Sequence, residues 1–209
     1  MKLFKSNLIR LTRPPLPAQI KDDPIHVRIR DVHKSYGDHH VLKGVSLDIH
    51  RGKTNLIIGP SGSGKTVLMR QLIRLERPDS GQLLVNGLDF ARLEGLDLAS
   101  MRRTFGMVFQ MSALFDSMPV FDNVAFPLRE HTDLPRKEVR ERVMDKLAAL
   151  GVAAAAEKLP AQLSGGMQKR VAVARAMILE SEILIYDEPT TGLDPITTEM
   201  VDDLIVEAE

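Results

Sequence analysis

The chain contains no cysteine, no tryptophan and only two tyrosines among its 209 residues. Because thiols are missing, disulfides, thiolate metal sites and cysteine nucleophiles are excluded, and the composition is consistent with a reducing compartment. Any metal chemistry is therefore expected to use oxygen ligands. The shortage of aromatic rings also leaves few side chains that can stack on a nucleobase.

Net charge and long apolar runs are missing as well. Lys plus Arg and Asp plus Glu both number 28, so no overall field recruits a polyanion and a nucleic-acid partner is not expected. No apolar run approaches the roughly 20 residues that span a bilayer. Leu8-Ile9 is followed at once by Arg10, so no signal-peptide core develops. We expect a soluble, cytoplasmic α/β domain with room for an inserted subdomain.

One stretch carries the strongest chemical signal. Gly59-Pro60-Ser61-Gly62-Ser63-Gly64-Lys65-Thr66 fits the phosphate-loop template G-x-x-x-x-G-K-[ST] at every fixed position. The apolar run Leu56-Ile57-Ile58 predicts a buried strand before it, and Val67 to Ile73 predict a helix after it. Backbone N–H groups of such a loop and the helix N-terminus cradle phosphate, while Lys65 reaches the terminal phosphates and Thr66 ligates Mg²⁺. The alternative is a simple Gly/Ser-rich turn.

The N-terminal part divides into a tail and strands. Prolines interrupt residues 1–24, which we interpret as a tail, although a short helix docking on a membrane surface or partner stays open. From Ile25 apolar and polar residues alternate, which predicts a half-buried strand, and Val45–Ile49 predicts a second one. Between them, Tyr36 either stacks on a nucleobase or simply packs.

The middle of the chain changes character. Short apolar runs at Leu83–Val85 and Met107–Phe109 predict further strands, the latter ending at Gln110. Residues from 111 to about 168 contain three prolines and then an amphipathic helix followed by Gly151, which suits a position at the helix C-terminus. The apolar side of that helix is formed by Val139, Val143, Met144, Leu147 and Leu150. This block is predicted to be a helical insertion in the α/β core.

Two short motifs follow. Leu163-Ser164-Gly165-Gly166-Met167 precedes a helix predicted from Gln168 to about Leu179, and its Ser-Gly-Gly is either a second phosphate site or an ordinary N-cap. Asp187-Glu188 follows Ile183–Tyr186, a strand of the parallel-sheet kind. Carboxylates at the end of such a strand can hold Mg²⁺ and orient water, whereas adjacent acids on a surface turn only bind solvent. The apolar strand before them favours the first interpretation.

Together these residues resemble the nucleotide-binding subunits of ABC transporters over nearly all of residues 25–209. In that family the Ser164 motif is the signature sequence, and Tyr36 matches the adenine-stacking aromatic. Gln110 matches the glutamine that links Mg²⁺ to the helical subdomain, and Thr191-Gly192-Leu193-Asp194 matches the loop that crosses to the partner subunit. The resemblance implies a P-loop NTPase with a RecA-like core, an antiparallel β subdomain and a helical subdomain at about 111–168.

The resemblance also implies a head-to-tail dimer of two copies. Each ATP would lie between Lys65 and Thr66 of one subunit and Ser164 to Gly166 of the other. Glu188 would act as general base towards the attacking water, and Asp187 would hold Mg²⁺ through water. Dimer closure would move the helical insertion against an integral membrane permease, with the contact at about 111–126. The chain would therefore be peripheral on the inner face of the cell membrane.

Within the family, three stretches look like the Mla/Mce-type lipid transporters. They are Met167 in place of the signature's more usual glutamine, residues 114–118 taken with 120–124, and residues 190–197. The implied cargo is phospholipid or a related lipid at a bacterial envelope, with an Mce-type lipid-binding partner. The alternative is an importer of amino acids or other small solutes. An ATPase of translation or DNA repair is disfavoured because those proteins usually carry tandem domains or coiled-coil insertions.

One departure from the family concerns the C-terminus. There the helix after the aspartate loop is followed by a strand ending in a histidine that contacts the γ-phosphate. Residues 196–209 suffice only for that helix, and none of the six histidines lies beyond Glu188. Because the strand in question lies centrally in the family's sheet, we expect exposed core beside the phosphate loop. The chain would be a fragment or a defective product, and on that hypothesis a nucleotide-binding module without turnover.

Overall fold

The computed structural model describes residues 23–187, which contain six strands and five α-helices. Two short 3-10 turns, Ala153–Ala155 and Pro160–Gln162, lie between the fourth and fifth helices. The strands are β1 (Ile25–Tyr36), β2 (His39–His50), β3 (Ser80–Val85), β4 (Leu88–Asp89), β5 (Phe105–Val108) and β6 (Ile183–Tyr186). The helices are α1 (Lys65–Leu72), α2 (Gly95–Arg102), α3 (Val120–His131), α4 (Arg136–Ala149) and α5 (Gly165–Met177).

Four strands form an antiparallel sheet in the order β2-β1-β3-β4. The strand predicted from Ile25 is confirmed, and its alternation holds over residues 27–30, where Val27 and Ile29 are buried while Arg28 and Arg30 are only partly so. At its start the alternation fails, because His26 is buried and Ile25 only partly so. Asn86 and Gly87, with φ angles of 50° and 73°, make the tight turn between β3 and β4 that two left-handed residues allow. The antiparallel sheet is thus built from the β1–β2 and β3–β4 hairpins, which pair with each other through β1 and β3.

The other two strands, β5 and β6, pair in parallel from Phe105 opposite Ile183 to Val108 opposite Tyr186. Helix α5 packs directly on β5 at Gly106, where a Cβ would clash with the carbonyl oxygen of Ala176. Just past the ladder, the Asp187 N–H donates to the Val108 carbonyl at 3.0 Å. The carboxyl ends of the two strands therefore lie side by side, which places residue 110 near residue 187.

The strand predicted at Leu56–Ile58 is wrong for the described part of the chain. No ladder includes these residues, and Leu56 and Ile58 are 79% and 84% exposed. An apolar run indicates that its side chains are more stable when buried, but a strand also needs a neighbouring strand to form its backbone hydrogen bonds. These two apolar side chains are therefore exposed just before the phosphate loop.

The helices α3, α4 and α5 share a second apolar core, in which Val124, Val143, Leu147 and Val171 are fully buried. The amphipathic helix is confirmed as α4, and Gly151 follows it with φ 64°. Sequence patterns missed α2 and α3, and α5 begins at Gly165 rather than at the predicted Gln168. Across residues 23–187, the helices are all too short or too polar to cross a lipid bilayer.

Candidate nucleotide-binding site

The glycine loop is shaped by left-handed backbone at two positions. Gly62 and Gly64 have φ angles of 77° and 96°, a region that side chains with a Cβ rarely adopt. A Cβ on Gly64 would also lie 2.9 Å from Leu42 and 3.1 Å from Val41, so the loop packs closely on β2 just where α1 begins. The sequence template is therefore matched by the conformation that it requires.

Lys65, the first residue of α1, folds over its own loop. Its Nζ donates to the carbonyl oxygens of Gly59 at 2.8 Å and Pro60 at 3.1 Å, while Ser63 N–H donates to the same Pro60 oxygen at 3.2 Å. A phosphate oxygen binds an ammonium group more strongly than a neutral carbonyl does, because the hydrogen bond is between opposite charges. Lys65 is thus in reach of an anion held by the loop.

Thr66 connects the loop to the far end of the sequence. Its hydroxyl donates to Oδ1 of Asp187 at 3.3 Å, across 121 residues of chain. Asp187 is a buried residue at the carboxyl end of β6. A carboxylate loses hydration in such a place and needs polar or charged partners to compensate. The contact therefore brings two predicted magnesium ligands together.

The third predicted ligand, Gln110, shares a cavity of about 500 Å³ with Thr66 and Asp187. A hydroxyl, an amide and a carboxylate offer the oxygen donors that Mg²⁺ takes in proteins, and this ion usually completes its shell with waters and substrate phosphates. The donor set in this cavity therefore fits Mg²⁺ bound beside a phosphate loop. Arg70 and Glu76, an ion pair at 3.2 Å, line the same cavity.

Tyr36 lies at the end of β1, nearly half exposed, and outside that cavity. Its hydroxyl donates to the Glu76 carboxylate, which raises the pKa of Tyr36 and lowers the pKa of Glu76. The Lys34 ammonium lies 5.6 Å from the ring centroid and pairs with Asp79 at 2.9 Å. The ring is thus fixed at its edge and still accessible, and its stacking on adenine remains a prediction.

The Ser164 motif forms an exposed helix N-terminus. The Ser164 side chain accepts a hydrogen bond from Met167 N–H at 3.3 Å, so the ordinary N-cap role is confirmed. A Cβ on Gly165 would meet nothing within 4 Å, which means that packing does not explain this glycine. The residues lining the Thr66 cavity do not include this motif. Its role towards phosphate stays a prediction.

Several predicted site residues lie outside the described residues, namely Glu188 and the loop Thr191 to Asp194. In contrast, Lys169 is a residue that sequence patterns missed, and it donates to the main chain of Phe109 and Gln110. A signal was present, since Lys169 precedes buried Val173 by one helical turn and so lies on the apolar side of α5.

A phosphate loop at a helix N-terminus, with a carboxylate at the end of a parallel strand beside it, defines a P-loop nucleotide-binding domain. Residues 42–191 match the family described as ABC transporter. The chain belongs to the ABC transporter family, as the signature motif and the phosphate loop predicted.

Relatives with assigned names support this membership. The chain is 44% identical over 181 residues to the intermembrane phospholipid transport system ATP-binding protein MlaF of Escherichia coli K12, covering 87% of this chain and 67% of that protein. It is 41% identical over 183 residues to the probable ribonucleotide transport ATP-binding protein mkl of Mycobacterium leprae, covering 88% of this chain. The chain spans 53% of the length of that mycobacterial relative.

Solved structures confirm the predicted fold. A dimeric post-hydrolysis state of the ATP-binding cassette MJ0796, bound to ADP and Pi, aligns with a TM-score of 0.80 at 33% identity. The alignment covers 86% of this chain and 81% of that one. The antiparallel sheet, the parallel strands and the helical block therefore form the α/β architecture of an ABC cassette.

Proposed function

We propose that this chain binds ATP with Mg²⁺ and hydrolyses it, as the ATPase subunit of a transporter that moves phospholipid or a related lipid at a bacterial envelope. The observation that carries the proposal is the contact between Thr66 and Asp187 in a cavity that Gln110 also lines. Oxygen donors from three separate elements meet beside a phosphate loop, which packing alone does not require.

The predicted residues of the phosphate loop, the magnesium site and the general base would have separate roles in that reaction. Residues 59–67, including Val67, would hold the phosphates through backbone N–H groups, and Lys65 would stabilise the charge that develops on them. Thr66, Gln110 and Asp187 would hold Mg²⁺, which when bound neutralises charge on the phosphate oxygens. Glu188 would accept a proton from the attacking water.

The complete site would require a second copy of the chain. Ser164 and Gly165 are exposed and Gly166 is half-buried, and all three lie outside the Thr66 cavity, so the motif could approach a γ-phosphate bound to another subunit. Asp194 would lie in the loop that crosses between the copies. The cassette MJ0796 was solved as a dimer with ADP and Pi, which supports a head-to-tail arrangement here.

The surface next to the cavity suits a membrane permease. Leu75 and Met111 are exposed and line the cavity, and Phe115 is exposed nearby. Buried Asn123 ties this segment to α3, accepting from Phe115 N–H at 2.8 Å and donating to the Met118 carbonyl at 2.9 Å. An ordered apolar surface fits the predicted contact at about 111–126, within the proposed helical subdomain 111–168 of a domain spanning 25–209.

The catalytic assignment is tested with purified chain and three variants. Lys65→Ala should lose binding of a fluorescent ATP analogue, whereas Lys53→Ala, an exposed lysine before the loop, should bind normally. Glu188→Gln should bind ATP and form a dimer on size-exclusion chromatography, with turnover reduced about 10²- to 10⁴-fold. Equal turnover in Glu188→Gln and the parent contradicts the assignment of the base. Binding without turnover in the parent favours the alternative of a nucleotide-binding module.

The cargo is tested separately, because MlaF is described with phospholipid and mkl with ribonucleotide transport. The ATPase would be purified gently with its permease and any Mce-type partner, then reconstituted in liposomes. ATP-dependent transfer of labelled phospholipid is the expected result. Uptake of a labelled ribonucleotide or amino acid without lipid transfer would contradict the lipid assignment while leaving the ATPase intact.

A further inference from the structure

Helix α5, which begins at the signature motif, carries a lysine on its buried side. Lys169 is only 2% exposed, and its Nζ donates to the carbonyl oxygens of Phe109 and Gln110, each at 3.3 Å. Burying an ammonium group costs free energy unless polar groups replace its lost water. The carbonyl groups of Phe109 and Gln110 are two such polar groups, and they belong to the segment that leads from β5 into the Thr66 cavity.

The same segment is held a second time from α5. Arg175 donates to the carbonyl oxygens of Ser112 at 3.0 Å and Ala113 at 2.8 Å. Ser112 and Ala113 have φ angles of 58° and 48°, which are unfavourable for residues with a Cβ. Strained backbone persists only where the surrounding structure fixes it. Lys169 and Arg175 together therefore fix residues 109–113 in this shape.

The consequence concerns Gln110, which lies two residues beyond the end of β5. Thr66 is in the first turn of α1, and Asp187 is tied to Val108 by a main-chain hydrogen bond. Gln110 follows the end of β5, so its main-chain position depends on what holds residues 109–113. A ligand group must be held closely in place to contribute to metal affinity.

We propose that Lys169 is a positioning residue for Gln110 and so links the signature helix to the magnesium site of the same subunit. The proposal rests on the proposed function, because it presumes that Mg²⁺ and ATP bind in the Thr66 cavity. It assigns Lys169 a role through the main chain of Gln110 and not through direct contact with nucleotide.

A neighbouring residue provides a matched control. Arg170 also lies on α5 and donates to a main-chain carbonyl, that of Leu150 at 3.2 Å, at the end of α4. Lys169→Met and Arg170→Met therefore each remove one cation and its bonds to the main chain. Only the first removes a bond to the segment that carries Gln110.

The experiment measures metal binding and stability in the full chain. Binding of Mn²⁺ would be followed by electron paramagnetic resonance with a non-hydrolysable ATP analogue, and the Mg²⁺ requirement of ATP hydrolysis would be measured in parallel. Lys169→Met should weaken Mn²⁺ binding and raise the Mg²⁺ requirement about 10- to 100-fold, the range found for groups that support a metal ligand. Analogue binding without metal should be unchanged, Lys169→Arg should recover most of the affinity, and Arg170→Met should lower the Tm alone.

Other outcomes are equally decisive. Equal losses of Tm in Lys169→Met and Arg170→Met, with metal affinity unchanged in both, would overturn the proposal and leave Lys169 a packing role. If Lys169→Met does not fold, Lys169→Gln replaces the ammonium with a shorter, neutral amide donor and should show a smaller shift in metal affinity, whereas no shift overturns the inference. A parent chain that binds no metal with the analogue overturns the proposed function as well, so the two failures are distinguishable.

Discussion

The helical block and the strand-built half around the phosphate loop differ in how completely they bury apolar side chains. Val143 and Leu147 in α4 have no exposed surface, whereas Leu56 and Ile58 are almost fully exposed. A helix makes its backbone hydrogen bonds within itself, but a strand depends on neighbours distant in sequence. The helical block is therefore self-sufficient within residues 23–187, while residues 56–58 need a partner strand in order to be buried.

The largest expected effect compares two leucines. Leu147→Ala should lower the free energy of unfolding by about 2–5 kcal/mol, since a fully buried side chain is lost and a cavity remains. Leu56→Ala should change it by less than about 0.5 kcal/mol, as is usual for exposed positions. Urea unfolding followed by circular dichroism measures both values. Similar losses in the two variants would mean that Leu56 is buried in solution, and the contrast between the halves would fail.

A smaller effect is expected where the strand-built half is held by a buried cation. Arg74, only 5% exposed, donates to the carbonyl oxygens of Phe90 at 3.0 Å and Leu93 at 2.9 Å. Arg74→Ala should lower the free energy of unfolding by about 1–3 kcal/mol, because the buried Phe90 carbonyl and the part-buried Leu93 carbonyl lose their donor. Arg74→Gly should be about 1 kcal/mol more stable than Arg74→Ala, since its φ of 57° suits glycine.

The control for that pair is Arg77→Ala, which breaks an exposed ion pair with Glu94 and should change stability very little. Urea unfolding curves of all three variants provide the comparison. If Arg74→Gly proves less stable than Arg74→Ala, backbone strain at this position is not the deciding factor.

The smallest effect uses the two tyrosines. Burial raises the pKa of Tyr186 to about 12, and its hydroxyl has no hydrogen-bond partner among the described residues. The hydrogen bond to Glu76 raises the pKa of Tyr36. When phenolate formation is followed by absorbance at 295 nm, the titration midpoints of both tyrosines should therefore lie above the ordinary pKa of about 10. In Tyr36→Phe the single remaining tyrosine is Tyr186. A titration midpoint near pH 10 in that variant would contradict the burial of Tyr186.

The same titration bears on stability. Because the pKa of Tyr186 is higher in the folded chain than in the unfolded one, its contribution is fully present below pH of about 10 and is lost as pH rises towards 12. Stability should thus decline across this interval, and less steeply in Tyr186→Phe. Urea unfolding at pH 9, 10 and 11 measures the slope.

The sequence predicted α4 and missed α3 for a physical reason. The apolar side of α4 repeats every three or four residues, which indicates a helix by itself. In α3, Pro119 stands at the N-cap and Pro127 lies inside the helix, and prolines at this spacing do not indicate a helix. Proline is tolerated at a helix start, and the packing of Val124 and Leu128 offsets the hydrogen bond that Pro127 cannot donate.

The site was predictable to the extent that motifs specify it. Thr66, Gln110 and Asp187 were each identified from sequence, and the structure brings them to one cavity. Lys169 was not identified, because a charged residue on a helix usually points to solvent and only the fold shows which carbonyls it reaches. The strand predicted at residues 56–58 was wrong for the opposite reason. The apolar character of these residues indicated burial, but it did not indicate which neighbouring strand would bury them.

Gly106 limits which substitutions the structure can accept, and the effect extends to the segment that carries Gln110. Since a methyl group there would clash with the Ala176 carbonyl, the spacing between β5 and α5 is set by the absence of a single carbon atom. The contact of Lys169 with Gln110 joins α5 to the segment that follows β5. Gly106→Ala would push β5 and α5 apart, so a residue outside the Thr66 cavity limits which sequences can keep the proposed magnesium site.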